Sequence, residues 1–82
     1  MGGKTEIKYI RVDDNQLFYY FTLIYGDDFL EKIQEMKEKI HHTKRNWDEE
    51  KSEWSLVISD ESRKHLISIF GDSAKFHLNM IE

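Results

Sequence analysis

The run from Leu17 to Tyr25 (LFYYFTLIY) constrains this chain most, because its nine residues are almost unbroken in apolar character. A membrane-spanning helix needs about twice that length. The run is rich in aromatic and β-branched residues, which suit a pleated surface, and both of its faces are apolar. It therefore belongs in the centre of a sheet, with a strand on either side.

The flanking residues supply those partners. Thr5 to Val12 (TEIKYIRV) reads as a first strand, and the polar turn Asp13-Asp14-Asn15-Gln16 folds it onto the central one as a hairpin. Gly26 ends the apolar run. Asp27 or Asp28 is placed to cap a helix over roughly 27–42. Within it Phe29, Leu30, Ile33, Met36, Lys37 and Ile40 recur at helical spacing and form one stripe packed onto the sheet, with Glu31, Lys32, Glu35, Glu38 and Lys39 outside.

After the helix, Arg45 to Asp48, a charged turn and then Glu53 to Ile58 predict a second hairpin, since Trp54, Leu56 and Ile58 alternate with Ser55 and Val57. Ser59 or Asp60 caps a second helix that buries Leu66, Ile67 and Phe70 and ends at Gly71 in a left-handed conformation. Ala74, Phe76, Leu78 and Met80 alternate with Lys75, His77, Asn79 and Ile81, which predicts a half-buried last strand. The expected fold class is α+β: a two-layer sandwich of order β-β-α-β-β-α-β, with a mainly antiparallel sheet and two helices on one face. Without its first strand the order is the ferredoxin-like βαββαβ.

A chain of 82 residues supports one hydrophobic core, so residues 1–82 are expected to form a single domain. Met1 to Lys4 reads as a disordered natural terminus or a vector-derived scar. Hydrophobic residues at 39% and aromatic residues at 13% exceed what a disordered chain carries. There is no cysteine, which excludes disulfides and thiolate zinc sites and fits a reducing compartment. The expectation is a cytoplasmic protein with no membrane segment.

The chemistry of catalysis is not legible. His41 and His42 are adjacent at a helix end, where neighbouring side chains diverge, and His65 and His77 stand apart, so no metal site is expected. The glycines are scattered, with no phosphate loop and no nucleophile elbow. Asp13-Asp14 and Asp27-Asp28 occupy turn and cap positions. Neither enzymatic activity nor a cofactor is expected.

Binding is more legible. The net charge of -4 argues against a surface that is basic throughout. Charge is nevertheless segregated: Lys37 to Arg45 (KEKIHHTKR) is basic, and Asn46 to Glu53 (NWDEEKSE) is acidic. Two tryptophans bracket the second hairpin; Trp54 falls on a core position, whereas Trp47 precedes a polar turn. A basic helix end beside tryptophan has the parts needed to grip phosphates and stack on bases.

The run from Phe18 to Phe70 resembles the HARP domain of annealing helicases and the related damage-recognition-like domains that accompany superfamily 2 helicases. The residues that carry the likeness are Phe21 to Tyr25, Leu30 with Ile33, Trp47-Asp48, Lys51, Trp54 with Leu56, and Leu66. The resemblance implies an accessory domain that recognises DNA structure through the helix end and the hairpin. Lys37, Lys39, Lys44, Arg45 and Lys51 would then contact phosphates while Trp47 stacks. The alternative is a protein-interaction domain, viral or plasmid-borne in type, that binds a partner or forms a homodimer. It is motivated by Tyr9, Tyr19 and Tyr20, which cannot all be buried in so small a core.

Overall fold

Apolar strands and polar turns alternate along the chain much as the spacing predicts. The computed structural model describes residues 3–81. Its elements are β1 (Glu6–Val12), β2 (Phe18–Ile24), α1 (Phe29–Lys39), β3 (Arg45–Asp48), β4 (Glu53–Val57), α2 (Asp60–Phe70) and α3 (Asp72–Ile81), with one 3-10 turn at His42–Lys44. The strands form a fully antiparallel sheet in the order β1-β2-β4-β3, so the apolar β2 is interior as expected. The fold class is α+β, with the helices layered on one face of the sheet.

Alternation along each strand determines that face. Ile10 lies opposite Phe21, Phe21 opposite Trp54, and Trp54 opposite Trp47, giving one inward row across all four strands. A second row runs Val12, Tyr19, Leu56, Arg45. Leu66, Ile69 and Phe70 of α2, Ala74 and Leu78 of α3, and Met36 at the end of α1 close over these rows. Phe21 meets Phe70 edge-on, with ring centroids 6.2 Å apart. Ile69, not Ile67, joins Leu66 and Phe70 in the buried stripe of α2.

The turns are held by side chains that bond backbone donors. Asp13 Oδ1 accepts from the amides of Leu17 at 2.7 Å and Phe18 at 2.9 Å, which keeps its carboxyl below the ordinary range, Phe18 contributing most. Ser59 Oγ accepts from the Ser62 amide and caps α2. Asp28 stands at the start of α1, where its carbonyl accepts from the Lys32 amide at 3.0 Å, but its side chain caps nothing in that helix; its Oδ1 accepts instead from the amide of Thr5 at 2.7 Å. That amide, and then the Thr5 hydroxyl, hold the Asp28 carboxyl low. Of the four residues expected to be loose, Met1 and Gly2 lie outside the described residues. The Gly3 carbonyl accepts from the Asp27 amide at 3.1 Å.

The expected last strand is a helix. Ala74 and Leu78 are buried, whereas Phe76 and Met80, which alternation placed on the same face, are exposed. The element order is therefore β-β-α-β-β-α-α, with three helices rather than two, and the ferredoxin-like order does not apply. Gly71 alone joins α2 to α3. Its φ of 65° and ψ of -135° lie outside the left-handed helical region expected for it, in a conformation open essentially to glycine. Its amide bonds the Ile67 carbonyl and its carbonyl accepts from Lys75, so one residue ends one helix and starts the next. Among the described residues, no helix is long and apolar enough to cross a membrane.

Candidate functional site

The apolar stripe of α1 is only half used. Met36 and Ile40 are buried, but Phe29 is 38% exposed and Leu30 70% exposed, so the first half of the stripe does not pack onto the sheet as expected. The shortfall has a local cause. The helix begins only at Phe29 and ends at Lys39, after which Ile40 turns to an extended conformation. Arg45 Nε then donates to the Ile40 carbonyl at 3.0 Å, tying the start of β3 to the end of α1. The two elements are joined at that end and open at the other.

Between them lies a groove of about 950 Å³, lined by Tyr25, Phe29, Leu30, Ile33 and Lys37 on one wall and by Arg45, Asn46, Trp47 and Trp54 on the other. Tyr25 and Phe29 pack edge to face with centroids 5.4 Å apart, which stiffens the first wall. Trp47 and Trp54 lie 5.0 Å apart at a tilt of 49°. Trp54 belongs to the core, and Trp47, at the outer end of the same row, is 39% exposed. The groove is thus the place where the core runs out to the sheet edge and remains uncovered.

The six residues expected to bind nucleic acid separate into three places. Lys37, Arg45 and Trp47 meet in the groove. Lys39 and Lys44 line a smaller depression of about 190 Å³ beside His41 and His65. There Lys39 Nζ is engaged by Glu35 Oε2 at 2.9 Å and by Ser68 Oγ at 3.1 Å. Lys51 is exposed in the β3–β4 turn, where its amide bonds Asp48 Oδ1. Reading the residues along the sequence missed Tyr25, Phe29, Leu30, Ile33 and Trp54 as lining, because each looked like ordinary core. The available signal was an α1 stripe longer than a half-covered four-residue edge strand could bury.

His41 and His42 do not diverge. Both lie past the end of α1, and their rings meet at a tilt of 34° with centroids 4.3 Å apart. Among the described residues, no group of three or more His, Cys, Asp or Glu side chains is placed to hold a metal ion.

The outer face of the sheet is organised differently. Glu53 is 3% exposed, yet it is fully engaged: Arg11 binds it through Nη2 at 2.7 Å and Nε at 3.1 Å, and the Tyr9 hydroxyl donates to it at 2.7 Å. Burial pushes this carboxyl up, but the hydrogen bonds from Arg11 and Tyr9, with the positive charges of Arg11 and Lys51, outweigh it and hold Glu53 below its ordinary value. The Tyr9 hydroxyl is pushed up in return, chiefly by its bond to Glu53. Arg11 also lies 4.3 Å above the ring of Tyr20. Of the three tyrosines in excess, Tyr19 is core, while Tyr9 and Tyr20 serve this network.

No protein-family model, curated protein or solved structure matches this chain.

Proposed function

We propose that this chain is a non-enzymatic protein-interaction domain whose groove between α1 and β3 receives an apolar segment of a partner protein. One observation carries the reading: Phe29 and Leu30 on α1, Trp47 on β3 and Tyr25, packed against Phe29 from the β2–α1 connection, leave large apolar surface open around a single concavity. Such surface on a rigid frame is characteristic of an interaction site. Aliphatic Leu30 and Ile33 suit apolar side chains better than they suit the flat faces of bases.

The test is selection from a phage-displayed library of random 12-residue peptides. The native chain should enrich peptides carrying two or more large apolar residues. Leu30→Glu should weaken them at least tenfold, the loss of about 1.4 kcal/mol expected when one interface anchor is removed. Absence of enrichment, or equal binding by the variant, would overturn the proposal.

Trp47 favours a second reading. It is an exposed ring in the same groove as Lys37 and Arg45, the arrangement that grips single-stranded nucleic acid by stacking and phosphate contact. In that case a labelled oligothymidylate would bind at low salt, weaken steeply as salt rises, and be lost in Trp47→Ala.

A further inference from the structure

We infer that the partner segment enters the groove as an added β-strand, antiparallel to β3, and carries an acidic group on the C-terminal side of its apolar residues. The inference rests on the groove being a protein-binding site and specifies how the site is used.

The first support is the contrast between the two sheet edges. On the β1 side the edge is occupied: the Ile7 amide donates to Ser73 Oγ at 3.1 Å, the Thr5 amide donates to Asp28, and the strand is irregular between Ile7 and Tyr9. These are the devices that keep a sheet edge from pairing. β3, at the other edge, is regular in register, and among the described residues β4 is the only strand paired with it. Alternate amides and carbonyls along it therefore face away from the sheet, ready to pair. Four residues at about 3.4 Å each offer a ledge of about 14 Å.

The second support is that the open edge and the apolar groove coincide. A strand laid beside β3 would send every other side chain to the helix side, toward Leu30, Phe29 and Trp47, and the rest to the opposite side. Main-chain bonds supply affinity and the alternate pockets supply selectivity, as in other cases of strand addition.

The third support is the polarity of the groove. Its apolar residues sit on the first half of α1, and its cations, Lys37 and Arg45, sit where α1 ends and β3 begins. Leu30 and Lys37 are seven residues apart on the helix, a rise of about 10 Å, or about three residues of extended chain. Because β3 runs from the basic end toward the apolar end, an antiparallel segment runs from apolar to basic. The expected ligand therefore has two large apolar residues at alternate positions, followed about three residues later by Asp, Glu or a terminal carboxylate.

The experiment uses the strongest peptide from the selection above, made synthetically and titrated against the full chain. Single backbone N-methylation along the peptide should weaken binding more than tenfold at alternate positions and little at those between. Replacing the acidic residue with its amide should weaken binding at low salt, and Lys37→Glu should be compensated by a peptide with Lys at that position. A peptide that loses affinity with Leu30→Glu but tolerates N-methylation at every position would overturn strand addition while leaving the groove as a protein site. Sensitivity spaced every three or four residues would replace the strand with a helix. Displacement of the peptide by oligothymidylate, or by a second copy of this chain on self-association, would assign the groove to that occupant and overturn the inference.

Discussion

Glu53 shows how one side chain can join three strands. It lies on β4, Arg11 and Tyr9 lie on β1, and the Tyr20 ring on β2 sits beneath Arg11. Because its folded pKa is depressed, its contribution to stability is complete above the unfolded value of about 4.3 and is lost as pH falls through the lower folded value. Glu53→Gln should therefore cost about 1–3 kcal/mol at neutral pH. Its melting temperature and that of the native chain should converge as pH falls below 4, which thermal unfolding from pH 7 to pH 2 would show. A gap that stays constant with pH would remove the ion pair from the account. Gly26 is constrained differently: a Cβ there would overlap the Gly3 carbonyl oxygen and lie 2.5 Å from the Lys4 carbonyl carbon, both of them backbone. Gly26→Ala should cost about 1–3 kcal/mol by displacing residues 3–5, and amide exchange at Asp27 should rise as its bond to Gly3 is lost.

At the scale of elements, α3 separates two patterns that coincide in sequence. Ala74, Phe76, Leu78 and Met80 have a strand period, while Phe70, Ala74, Leu78 and Ile81 have a helical one. Ala, Leu, Lys and Met are good helix formers, yet a segment of this length does not decide between the two periods by itself. Burial decides: Leu78 is inside and Phe76 outside. Leu78→Ala should cost about 2–5 kcal/mol, whereas Phe76→Ala should stay within about 0.5 kcal/mol. Equal costs, measured by denaturant unfolding, would restore the strand. The other elements were more legible because their patterns were unambiguous. β2 is too aromatic and too short for anything but a central strand, and the second hairpin carries alternating residues on both sides of a polar turn. The groove was less legible. Phe29 and Leu30 have the spacing of core residues, and nothing local distinguishes an apolar residue with a neighbour above it from one without.

For the whole molecule, three helices of ten or eleven residues cover a four-stranded sheet incompletely. α3 packs against β1 and α2 lies between α3 and α1, which leaves the β3 edge uncovered. The open groove predicts a separation of stability from binding. Leu30→Glu should change unfolding free energy by no more than about 0.5 kcal/mol, as for other surface positions, while lowering affinity for selected peptides at least tenfold. A large loss of stability in denaturant unfolding would instead make Leu30 a structural residue.

The sequence alone determined the four strands, two of the helices and the polar turns between them, because the side-chain rhythm of each segment is a local property that its neighbours in space cannot change. It also determined that Trp47 and Arg45 would stand close together, since they lie two residues apart. Only the tertiary structure decided that the last segment is helical and that the first half of α1 overhangs an empty edge. Both depend on which surfaces meet: Ser73 of α3 occupies the outer edge of β1, and no segment of the described chain lies beyond β3.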